Sequence, residues 1–106
     1  MDIMKIKVET YIPESCFGTL VQALNKIGAL KIGNYDSCIC CYKVNGFWKP
    51  LEGSTPFIGK MNKLSSEEEL KVEFKSRYSL MEEIYSTIKQ VHPYEEPVIN
   101  IFPLLY

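Results

Sequence analysis

The segment His92-Pro93-Tyr94-Glu95-Glu96-Pro97 places the chain's only histidine, two carboxylates and a phenol between two prolines. Imidazole nitrogen and carboxylate oxygen are ligand types suited to zinc or copper, and the same pair can pass protons. Cys38 would complete a His92, Glu95, Cys38 set for a divalent metal ion if the fold brings the two segments together. The rival reading is structural. His92 precedes a proline and closes a helix, whose C-terminal dipole favours a cation at that point. The prolines stiffen the turn, and adjacent glutamates in extended chain project to opposite sides, so both cannot easily hold one ion. On that reading Glu95 and Glu96 pair with His92, a lysine or another subunit.

A second chemical candidate is the stretch GSTPFIGK, residues 53–60. Its glycines have five residues between them rather than four, and Met61 stands where a phosphate-binding P-loop carries a hydroxyl. It is not a Walker motif, but backbone N–H groups around Gly53 and Gly59, with Lys60, could still cradle an anion. Asn34 and Tyr35 in GNY are further polar loop residues, although a turn asparagine more often serves its own backbone. Trp48, Phe57, Tyr94 and Glu96 are expected at an interface or loop base, where amphipathic aromatics have both an apolar and a wet neighbour.

The cysteines carry less. Cys38 and Cys41 satisfy C-x-x-C, but their neighbours favour a strand, where the two would point to opposite faces rather than sit at a helix N-terminus. No second ligand pair at zinc spacing accompanies them. Cys40 and Cys41 are therefore expected to be small buried hydrophobes.

These residues must be held by elements. MKIKVETY alternates, with Met4, Ile6 and Val8 on one face and Lys5, Lys7 and Glu9 on the other, which predicts a strand with one buried side. Pro13 opens a helix over 14–27, with Leu20, Val21, Leu24 and Ile27 at helical spacing and Gly28 as its stop. A strand follows through about Val44, and Asn45-Gly46 is the dipeptide expected of a tight hairpin turn. Residues 48–64 form an irregular stretch too long for a mere connector. ELKVEFKSR alternates again. Ser79 is a predicted N-cap, Glu82 and Glu83 suit a first helical turn, and Leu80, Ile84, Ile88 and Val91 form one helix face. PVINIF is the last strand. The order strand-helix-strand-strand-helix-strand predicts an α+β, ferredoxin-like sandwich: an antiparallel sheet with two helices on one face, as one domain over 1–106.

Composition narrows the function classes. A chain of 106 residues can bury on the order of two-thirds of its unfolded surface without metal or disulfide. A net charge of −1 with dispersed basic residues argues against a nucleic-acid partner. No window is apolar for the roughly 20 residues that cross a bilayer, and no signal-peptide core opens the chain, so a cytoplasmic, membrane-free protein is expected. Apolar residues continue to the final LLY, which suggests that a second copy covers them.

Three blocks, KIGNYDSC (31–38), KPLEGSTPFIGKMNKL (49–64) and HPYEEPVINIFPL (92–104), in this order and spacing resemble the PII/CutA-like insert domain of the YqfO branch of the NGG-interacting-factor-like family. The likeness runs from about Lys5 to the end, and a stand-alone copy of that domain is expected. HPYE also resembles the matching segment of CutA proteins, which are trimeric and linked to divalent-cation tolerance. The resemblance implies the same ferredoxin-like core, a homo-oligomer with a trimer favoured, and a long loop that senses ligands or partners. Full-length members carry a two-metal site in a separate, larger domain, and some bear a GTP cyclohydrolase label. Those ligands lie outside the matching region, and one histidine cannot rebuild such a site, so the label is not expected to pass to this chain. Asn100 stands where such domains usually have aspartate, and Lys71 where arginine is common.

The expected function is a small non-enzymatic oligomeric module that binds a divalent metal ion or small metabolite at a subunit boundary. The alternative is a purely structural or protein-interaction role.

Overall fold

A computed structural model describes residues 2–106. Its elements are β1 (Lys5–Ile12), α1 (Phe17–Lys26), β2 (Cys40–Trp48), β3 (Ser65–Arg77), α2 (Met81–Val91) and β4 (Ile99–Leu104), with a short 3-10 turn leading into each helix. The sheet runs β2-β3-β1-β4, and every neighbouring pair is antiparallel. This is the predicted ferredoxin-like order.

The core follows from alternation. Ile6 and Val8 of β1 and Leu70, Val72 and Phe74 of β3 are buried against Leu20 and Leu24 of α1 and Ile84 and Ile88 of α2. Burial of side chains of this size contributes about 1.5–3 kcal/mol each. The intervening residues, among them Glu9, Glu69, Lys71 and Glu73, therefore occupy the opposite, outer face of the sheet. Ser76, inward but polar, is satisfied by donating to the Ala29 carbonyl at 2.7 Å.

Three expectations need correction. Asn45-Gly46 is not a turn: both residues lie inside β2, opposite Glu68 and Glu67. The strand runs on because β3, at 13 residues, is long enough to pair it as far as Trp48 with Ser65, so the connection is 49–64. Ser79 is not an N-cap. It sits within the 3-10 turn 78–80, α2 starts after Leu80, and no side chain caps it. Cys40 and Cys41 are exposed rather than buried, because β2 is an edge strand that supplies nothing to the core.

Candidate binding site

The loop 49–64 folds back onto the proline corner 92–97. Its shape comes from a turn closed by the Ser54 N–H on the Leu51 carbonyl at 3.0 Å and a clasp from the Asn62 N–H to Pro50 at 2.6 Å. Gly59 has φ of +111°, and a Cβ there would stand 2.4 Å from Ser65 Oγ, so only glycine fits this bend. Trp48 Nε1 donates to the Ile58 carbonyl at 3.1 Å, and the Thr55 N–H donates to Glu95 Oε1 at 2.7 Å. The Tyr94 ring lies 5.6 Å from Trp48, 6.2 Å from Phe57 and 4.9 Å from His92, centroid to centroid. Such tilted aromatic pairs add to the burial of their surface.

Between loop and corner is a cavity of about 470 Å³, within the usual range for small-molecule sites. Its walls are mostly apolar: Trp48, Pro50, Phe57, Ile58, Tyr94 and Val98. Glu69 closes one side. It is 6% exposed, yet it lines the cavity. The carboxylate lies across Gly46, where an added Cβ would be 1.8 Å from Glu69 Oε1. Glycine in mid-strand weakens a sheet and often marks a close approach, and this one makes room for a carboxylate. The buried Tyr94 hydroxyl has the Glu69 carboxylate as its polar neighbour. Burial, then the nearby Glu69 charge, raise its pKa, so the phenol stays protonated.

His92 acts as a post beneath this cavity. It is buried, and its Nε2 lies 2.5 Å from the Tyr11 carbonyl, while the Tyr94 N–H donates to Nδ1 at 3.1 Å. Nδ1 is thus an acceptor and Nε2 the donor, which fixes the neutral tautomer. Burial lowers the pKa against the opposing pull of the Tyr11 carbonyl and Glu69. Neither ring nitrogen keeps a free lone pair for a metal.

The predicted site residues therefore separate. His92 and Glu95 share the corner, but Cys38 lies elsewhere, its N–H on the Leu30 carbonyl and its sulfur 3.7 Å from the Asp36 carbonyl. Among the described residues no three histidine, cysteine or acidic side chains gather in a way that would hold a metal ion. Asn34 and Tyr35 line a separate polar cleft beside Asn25 and Asp36. Gly53, Gly59 and Lys60 shape the loop without lining the cavity, whereas Trp48, Phe57, Tyr94 and Glu96 all line it. Sequence reasoning missed Glu69, Gly46 and Tyr11. Glu69 sits in the run Glu67-Glu68-Glu69, which reads as a solvated charge patch until strand register is known.

Further along the outer face, Glu9 and Glu73 stand directly opposite each other, a repulsive pairing on its own. Lys7 reaches them at 3.6 and 3.4 Å and Lys71 at 3.5 and 3.4 Å. Tyr42 donates to Glu73 at 3.3 Å. Asn100 faces Glu9 from β4, where an aspartate would add a third negative charge. The Tyr42 hydroxyl and the Glu9 carboxylate hold the Lys71 ammonium above the usual lysine range.

Residues 59–106 match the family model described as CutA1 divalent ion tolerance protein. The fold superposes on CutA of Synechococcus elongatus with a TM-score of 0.70 at 15% identity, over 97% of this chain and 79% of that one. Its fold is CutA-like. It also superposes on a Bacillus cereus protein related to NIF3, with a TM-score of 0.82 at 28% identity, over 98% of this chain and 26% of that one. Its sequence is 37% identical over 98 residues to a GTP cyclohydrolase 1 type 2 homolog of Halalkalibacterium halodurans, which spans 92% of this chain. The chain covers only 26% of that relative's length. No helix among the described residues is long and apolar enough to cross a membrane.

Proposed function

We propose that this domain is a small, self-associating, non-enzymatic binding module of the cytoplasm that takes a small molecule in the cavity between loop 49–64 and the proline corner. The observation that carries the reading is the convergence of two segments some 40 residues apart on one aromatic cavity with a buried carboxylate in its wall. The likeness to CutA supports self-association, with a trimer as the expected assembly. The exposed Phe47, Leu51 and Phe57 at the cavity rim are apolar enough to meet a neighbouring subunit. A small metabolite fits this cavity better than a metal ion, because the His92 nitrogens are both engaged. Calorimetry against a panel of small metabolites and divalent cations, with sedimentation for the assembly, tests the reading. Metabolite binding that is lost when Trp48 or Tyr94 is replaced supports it. Binding of divalent cations alone, abolished by His92→Ala, contradicts it.

The rim's exposed aromatics also favour a second reading, in which the cavity only receives a side chain from the next subunit. Replacement of Phe57 would then change assembly and leave no ligand effect.

A further inference from the structure

A general small-molecule site leaves Glu69 unexplained. This carboxylate is 6% exposed and forms no ion pair among the described residues; its polar neighbour is the Tyr94 hydroxyl, which is neutral. Lys71, two positions along the same strand face, is engaged at 3.5 and 3.4 Å by Glu9 and Glu73. Of the side chains lining the cavity, Glu69, Glu95 and Glu96 are acidic, and Lys49 alone is basic. Glu95 already accepts from the Thr55 N–H. A buried carboxylate without counter-charge costs folding free energy, and the strand has given up a side chain at Gly46 to place it there.

We infer that the cavity binds an organic cation with an apolar or aromatic body, Glu69 supplying the counter-charge and Trp48, Phe57 and Tyr94 the walls. The inference rests on the binding-module reading above and narrows it to one ligand class. A cationic nitrogen gains twice here: from the desolvated carboxylate, and from aromatic faces whose quadrupoles attract positive charge. A bare divalent ion would find too few oxygen ligands among apolar walls. A nucleotide's phosphates would meet three carboxylates and one lysine.

Trp48 is the chain's only tryptophan and lines the cavity, so its emission reports occupancy. Three near-isosteric probes separate charge from shape: benzamidinium, benzamide and benzoate. Benzamidinium is expected to bind at least about tenfold tighter than benzamide, with benzoate weakest. Glu69→Gln should erase the preference of the cation over benzamide. Gly46→Ala, whose methyl must displace the carboxylate, should weaken benzamidinium with the far-UV circular dichroism unchanged. Equal binding of benzamide and benzamidinium would overturn the cation inference and leave the cavity a binding site. A lysine or arginine of a neighbouring subunit seated on Glu69 would also overturn it. Failure of all three probes to perturb Trp48 at millimolar concentration would overturn both readings.

Discussion

Glu73 and Glu69 lie four residues apart on the same outer face of β3, and the molecule treats them in opposite ways. Glu73 receives two lysines and a tyrosine hydroxyl within 3.4 Å. Glu69 receives an aromatic wall, the neutral Tyr94 hydroxyl and the empty side of a glycine, but no cation. The first arrangement is complete in itself, since each like-charge contact across β1 and β3 is bridged by an ammonium. The second is complete only when something positive arrives. The contrast separates a charge that holds strands together from a charge that waits for a partner.

The largest effect is expected at Tyr94, whose ring packs beside Trp48, Phe57 and His92. Tyr94→Ala should cost about 2–3 kcal/mol in urea unfolding and shift Trp48 emission to the red, as the corner loses its central aromatic. The Glu73 network should survive, so the salt dependence of stability should stay as in the parent protein.

Next in size is a matched pair of substitutions. Glu69→Leu should raise stability by about 1 kcal/mol while removing cation binding, because an uncompensated carboxylate is replaced by apolar surface in an apolar wall. Glu73→Leu should lower the thermal midpoint, since it leaves Lys7 and Lys71 sharing Glu9 alone. Equal and opposite behaviour on one strand face is the sharpest form of the contrast. A drop for both would mean that Glu69 has a structural partner after all.

The pH dependence is smaller and separates the two regions in turn. The folded His92 pKa lies below its ordinary value of about 6.5, so on acidification the unfolded chain takes up the proton first. Its contribution is whole above that pH and is lost as pH falls toward the folded value. At Glu73 the loss of water works against the charge, but Lys7 first and Lys71 second overcome it and depress the pKa. That contribution is present above about pH 4.3 and disappears below it. Chemical denaturation at stepped pH should show two limbs, and His92→Gln should remove only the upper one.

Much of this was legible in the residues. The alternation of Ile6 and Val8 with Lys7 and Glu9, the helical spacing of Ile84 and Ile88, and the prolines at 93 and 97 are local signals, and they place the sheet, the helices and the corner. The loop 49–64 stood out by its length and its glycines, and Trp48, Phe57 and Tyr94 as amphipathic aromatics. The pocket's decisive residues did not stand out, because they depend on register. Gly46 beside Asn45 has the chemistry of a turn, and only its pairing opposite Glu67 shows that it lies in a strand. Glu69 pairs with Val44, and only the folded strands show its carboxylate reaching over Gly46 into a buried position. The histidine misled for the same reason: the Tyr11 carbonyl that occupies its Nε2 is 81 positions away.

The most direct test of whether Glu69 is held ready for a cation is a crystal structure of the assembled protein grown with benzamidinium. The amidinium should lie within ion-pair distance of the Glu69 carboxylate, with its ring between Trp48 and Tyr94. A cavity filled instead by a neighbouring subunit's basic side chain, with benzamidinium absent or bound elsewhere, would contradict the account.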